Sequence, residues 1–178
     1  MFAALERFEP ETGKRARAAE KNKDPAAMKK ILLPALSRAA LRAPDADLVA
    51  FRDGMYQIVE APAGINRKRC VEYAVGGGLQ SQPTREEQLQ IANTMTRFFE
   101  AAAAHPGEFT VDVQRAQAVN EQMLKTVDPQ GMLDPARTTQ LTNDQGCDLY
   151  VAMMRFLQKL PPAEAAHLIR AKMTASTR

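Results

Sequence analysis

Apolar residues recur at helical spacing along most of the chain. Met28, Ile31, Leu32, Ala35, Leu36 and Ala39 repeat with the period that places side chains on one face of an α-helix. Asp24-Pro25 marks the start of that helix, since Asp can accept a free backbone N–H and Pro fits the first turn. Pro34 falls inside the pattern and is expected to kink or split it. A second stripe, Leu48, Phe51, Met55, Ile58 and Val59, runs between Ala43-Pro44-Asp45 and Ala61-Pro62-Ala63-Gly64. NRKRCVEYAV (66–75) then forms a short helical segment that stops at Gly76-Gly77-Gly78.

Thr84 and Glu87 have capping-box spacing. They open a helix lined by Leu89, Ala92, Met95, Phe99 and Ala102, which ends before His105-Pro106-Gly107. EFTVDVQ (108–114) alternates like a strand, yet Val113, Ala116, Val119, Met123 and Val127 continue at helical spacing, so a helix over 110–126 is expected. Asp134-Pro135 starts another short one. Asn143 or Asp144 caps the next, which is apolar on most of its circumference from Leu149 to Leu160 and should sit at the centre of the bundle. A last amphipathic helix carries Leu168, Ile169 and Met173. The expectation is an all-α fold, a single multi-helix bundle of about seven or eight helices with no sheet of three or more strands.

The first twenty residues are charged, Ala-rich and broken by Pro10. They read as a helical arm or stalk over 1–24, loosely attached to a helical domain over 25–175 and contributing little core. The charge is uneven. Residues 1–43 hold ten Lys or Arg against five Asp or Glu, whereas 44–178 hold fourteen against sixteen. The basic excess lies in Lys14, Arg15, Arg17, Lys21, Lys23, Lys29 and Lys30. A solvated helix face is the plain reading of that run. Contact between this arm and a polyanion or a membrane surface is the other. No apolar run approaches the roughly 18 residues that span a bilayer, and the start has no signal-type core. As written the chain reads as soluble, and a trimmed segment of a longer anchored protein fits the same features.

Little in the sequence points to chemistry. His105 and His167 have no ligand-spaced partner, so neither a metal nor a cofactor is expected. The run GGGLQSQPTREE lacks the Lys-Ser/Thr of a phosphate loop and reads as helix termination. There is no Trp and only 6% aromatic residues, so base stacking, and with it nucleic-acid binding, is not expected. The two cysteines, Cys70 and Cys147, each lie near the start of an apolar helix. They read first as a disulfide between helices. Two inert buried thiols, or a reactive Cys70 thiolate favoured by Arg67, Lys68 and Arg69, are the other readings.

QGCDLYVAMMRFLQKLPPAEAAHLIR (145–170) and NRKRCVEY (66–73) resemble uncharacterised two-cysteine helical domains of bacterial membrane-associated proteins. A Cys opening an apolar helix, then Leu-Pro-Pro and a final helix with Arg, carries the resemblance. It implies a periplasmic or otherwise extracytoplasmic location, membrane-anchored in the full-length protein, and brings no activity. Two functions remain open. The first is a non-catalytic interaction or scaffold domain with a protein partner, its contact surface formed by Arg52, Met55, Tyr56, Met153, Met154 and Arg155. The second is a cytoplasmic thiol-based enzyme or redox sensor using Cys70.

Overall fold

A computed structural model describes residues 1–61, 64–74, 82–133 and 141–175. Among these the protein is all-α, with nine helices and one two-residue β pair. The helices are α1 (Phe2–Phe8), α2 (Pro10–Lys21), α3 (Pro25–Arg42), α4 (Asp45–Tyr56), α5 (Arg67–Ala74), α6 (Arg85–Ala104), α7 (Val113–Val127), α8 (Asn143–Gln158) and α9 (Pro162–Ala175). Strands β1 (Glu60–Ala61) and β2 (Gly64–Ile65) pair antiparallel between α4 and α5. No described helix is long and apolar enough to cross a membrane. The glycine run at 76–78 and the short helix expected at 134 lie outside the described residues.

Side chains start most of these helices. Asp24 accepts from the Ala27 N–H at 2.9 Å and Asp112 from that of Arg115 at 2.9 Å. Thr84 with Glu87, and Thr142 with Gln145, form complete capping boxes. The cap of α8 is therefore Thr142 rather than Asn143 or Asp144. Its reciprocal pair satisfies two N–H groups, where a lone Asn would satisfy one. Pro34 does not divide α3, which is continuous to Arg42. The carbonyl it deprives of a partner is that of Lys30, an exposed residue where water can serve instead. Residues 108–112 are not strand, and no strand among the described residues pairs with them.

Six helices share the main core. Leu5 and Phe8 of α1, Ala16 and Ala19 of α2, Ile31 and Ala35 of α3, Leu48 of α4, Phe98 and Phe99 of α6, and Ala166 and Ile169 of α9 are all buried in it. The N-terminal segment thus belongs to the core, and the expectation that residues 1–20 contribute little to it does not hold. Leu5 is fully buried, and the Phe8 and Phe99 rings lie 5.9 Å apart. Helix α2 is buried through the small residues Gly13, Ala16 and Ala19. A Cβ on Gly13 would come within 2.7 Å of the Glu6 backbone, so α1 and α2 approach as closely as glycine allows.

Helix α8 is not the centre of the bundle. Its apolar residues serve two smaller cores on different sides. Cys147 and Val151 join Tyr56, Val59 and Cys70 in one, and Leu157 joins Val119, Met123 and Leu168 in the other. A broad apolar circumference arises equally from one deep burial or from two shallow ones, and here it is two.

Candidate functional site

Cys70 and Cys147 form a disulfide that joins α5 to α8 across 77 residues, with the Cα atoms 5.3 Å apart. Local geometry sets both ends. The Asn66 side chain accepts from the Arg69 N–H at 3.2 Å, the Cys70 N–H donates to the Asn66 carbonyl, and the Thr142 capping box fixes the first turns of α8. Both cysteines are fully buried. With both sulfurs bonded, Cys70 presents no thiolate, and Arg67 and Arg69 beside it pair with Asp148 and Glu87 instead.

All three tyrosines of the protein gather around this bond. The Tyr73 and Tyr150 rings stack with centroids 6.4 Å apart, and Tyr56 tilts against Tyr150 at 6.0 Å. Burial pushes the Tyr73 hydroxyl up to about 12 and raises that of Tyr150 as well. Tyr56 is raised by burial first and by the Glu60 carboxylate second. Its hydroxyl is buried beside the Glu60–Arg155 ion pair without a close hydrogen bond of its own.

Arg69 ties the disulfide layer to the main bundle. Its side chain is buried, and its Nε and Nη2 donate to the two Glu87 carboxylate oxygens at 2.8 and 2.7 Å. Nη1 donates to Glu72 at 2.9 Å and Nη2 also to the Gln82 carbonyl at 3.1 Å. Glu87 accepts from the Thr84 N–H as well, so one carboxylate closes a capping box and neutralises a buried guanidinium. Its carboxyl falls from an ordinary 4.5 to about 2, chiefly through the Arg69 hydrogen bonds. Paired buried charges of this kind fix the geometry of the elements that carry them.

A second buried arginine pins the C-terminal helix. Arg170 donates to the Ala40 and Ala43 carbonyls at 3.0 and 2.7 Å and to Asp45 at 2.6 Å, and its guanidinium lies 4.4 Å from the centre of the Phe109 ring. It thereby satisfies carbonyls left free at the end of α3 and reaches the first turn of α4. The sequence marks neither arginine as buried. The i, i+3 spacing of Arg69 and Glu72 is the one local signal that bears on this.

The structure brings Tyr56, Met154 and Arg155 of the expected contact surface near one another but buries part of it. Arg52 is buried and donates twice to Asp53, at 2.9 and 2.7 Å. Tyr56 is 1% exposed and belongs to the core around the disulfide. Neither presents a face to a partner. Met55, Met153 and Met154 are half-buried, and Met154 packs against both smaller cores. Arg155 alone is exposed, donating to Glu60 at 2.7 Å. It borders a groove of about 700 Å³ between α7 and α8, floored by Val127, Val151, Ala152 and Phe156 with Lys159 on its rim.

His105 stacks on Phe109, and His167 is half-buried on α9 with Nδ1 unpaired. Among the described residues no group of three or more His, Cys, Asp or Glu is placed to hold a metal. Comparison of the chain with protein-family models, curated proteins and solved structures gives no match.

Proposed function

We propose that the protein is a non-catalytic interaction domain working outside the cytoplasm, in an oxidising compartment such as the periplasm, as the soluble part of a membrane-associated protein. The buried disulfide carries this reading. A bond that joins two helices and underlies a separate small core persists where thiols are not held reduced. The partner is a protein, and the groove between α7 and α8 is where it docks. An apolar floor with Arg155 and Lys159 on the rim, and with Asp148 there held by Arg67, suits an amphipathic helix bearing acidic side chains opposite the two cations.

Two measurements test the proposal. Acid quenching of intact cells, then denaturation and alkylation of free thiols, should leave Cys70 and Cys147 unmodified; labelling of both would move the protein to a reducing compartment and end this reading. Capture of a partner from envelope extract should be lost in an Arg155→Glu, Lys159→Glu variant whose circular dichroism is unchanged. Equal capture by that variant would remove the groove from the proposal.

A further inference from the structure

The α2–α3 hairpin concentrates positive charge at its turn. Lys14 pairs with Glu11 and Arg17 with Glu6, whereas Arg15, Lys21, Lys23, Lys29 and Lys30 are exposed and make no ion pair among the described residues. Lys21 and Lys23 stand at the turn itself. Lys29 and Lys30 follow within two turns of the start of α3, about 8 Å along its axis. Glu20 and Asp24 are the acidic groups in the same segment, and Asp24 is engaged as the cap of α3.

Two further features set this patch apart from a merely solvated face. The Asp24 N–H donates to the Ala19 carbonyl and the Lys23 N–H to that of Glu20, both at 2.9 Å, and Lys23 sits at φ 52°. That is the left-handed position which ends a helix and which glycine fills at least cost. The chain thus places a lysine at the tip of the hairpin at some cost in stability. Leu33 is 46% exposed and shares a helix face with Lys29 and Lys30, from which it lies four and three residues along. An apolar side chain flanked by lysines is the pattern of a surface that rests on lipid headgroups and dips one side chain among them.

We infer that the turn of the α2–α3 hairpin docks on an anionic phospholipid bilayer, with Lys21, Lys23, Lys29 and Lys30 facing the headgroups and Leu33 entering the interface. Charge complementarity supplies the attraction. The rest of the chain orients it, because residues 44–178 carry two more acidic than basic side chains and are repelled by the same surface. The choice of lipid over nucleic acid rests on the extracytoplasmic reading above and on the exposed leucine, where a stacking aromatic would favour bases.

The test is sedimentation of the intact, oxidised protein with vesicles of phosphatidylcholine alone or mixed with phosphatidylglycerol. Binding is expected only to the anionic vesicles, weakening as salt is raised. Each lysine removed should weaken it about fivefold, so a variant with Lys21, Lys23, Lys29 and Lys30 all changed to Gln should not sediment. Lys23→Gly separates binding from stability: it should raise the melting temperature while weakening vesicle binding about fivefold. Leu33→Ser should weaken binding without changing its salt dependence. Equal binding to neutral vesicles, unchanged binding by the four-lysine variant, or tighter binding to an oligonucleotide at matched salt would each overturn the inference. Because purified protein is used, the outcome is independent of the in-cell thiol measurement, and either reading can fail alone.

Discussion

Replacing Glu87 by Gln probes the tie between the disulfide layer and the main bundle. The amide keeps an oxygen that can accept from the Thr84 N–H, so the capping box survives in part. What is lost is the charge opposite Arg69, whose side chain is only 6% exposed and retains Glu72. The carboxyl falls from 4.5 to about 2 on folding. Because the folded value is the lower one, its stabilisation is complete above pH 4.5 and is lost as pH falls towards 2. At about 1.4 kcal/mol per pH unit, that fall corresponds to roughly 3.5 kcal/mol. Glu87 is 14% exposed, so screening is limited, and breaking a buried pair from one side independently gives about 3–5 kcal/mol. With Glu72 still in place, the expected loss at pH 7 is about 2–3 kcal/mol. Urea unfolding of wild type and Glu87→Gln, disulfide intact, from pH 7 down to pH 2 measures it. The two curves should converge as the wild-type carboxyl protonates. A loss under about 1 kcal/mol at pH 7 would refute the reasoning, and so would a gap that does not change with pH.

Three other expectations follow from the packing. Leu5→Ala should cost about 3 kcal/mol in urea unfolding, and deletion of residues 1–20 should lower the melting temperature sharply; a truncated protein as stable as the parent would show that α1 and α2 are dispensable. Arg170→Ala should cost about 3 kcal/mol or more by leaving two buried carbonyls and Asp45 unpaired. Arg170→Lys should not restore this, since one ammonium cannot reach all three acceptors; full recovery by lysine would mean that charge alone matters. Ultraviolet titration of the native protein should show all three tyrosines ionising above the ordinary value of 10, with Tyr73 near 12. The folded values are raised, so this contribution to stability is present below pH 10 and is lost above it; a native step at 10 would place a tyrosine in water.

Much of the scaffold is legible in the sequence because it is written locally. The Thr84–Glu87 box, the Asp24-Pro25 start and the stripes of α3 and α6 need only neighbours along the chain. The cysteine pairing is legible because there are two cysteines and one way to join them. Long-range placement is not written locally. The charged segment 1–24 looks detached because Leu5 and Phe8 are sparse among its charges and because α2 packs through glycine and alanine, which carry little hydrophobic signal. Helix α8 looks central because a helix shared between two small cores has the same composition as one buried in a single large core. Arg69 and Arg170 look like surface charges until Glu87 and the end of α3 are brought to them by the fold, and Arg52 until the fold buries it beside its neighbour Asp53. Two members of the expected contact surface, Arg52 and Tyr56, are buried for that reason. Arg52 and Tyr56 have the chemistry of a recognition site, and the packing uses it internally.

The bond between Cys70 and Cys147 also gives the molecule a mechanical property. Any pull on the two ends of the chain passes across the disulfide and bypasses the 76 residues between its ends. Those residues include α6, which shares the main core with α1 and α3, so unravelling the ends would strip away the neighbours of α6 while it stayed inside a closed ring. About 260 Å of extended chain is held back in this way. Under tension the oxidised protein is a short tether, and reduction makes it a long one.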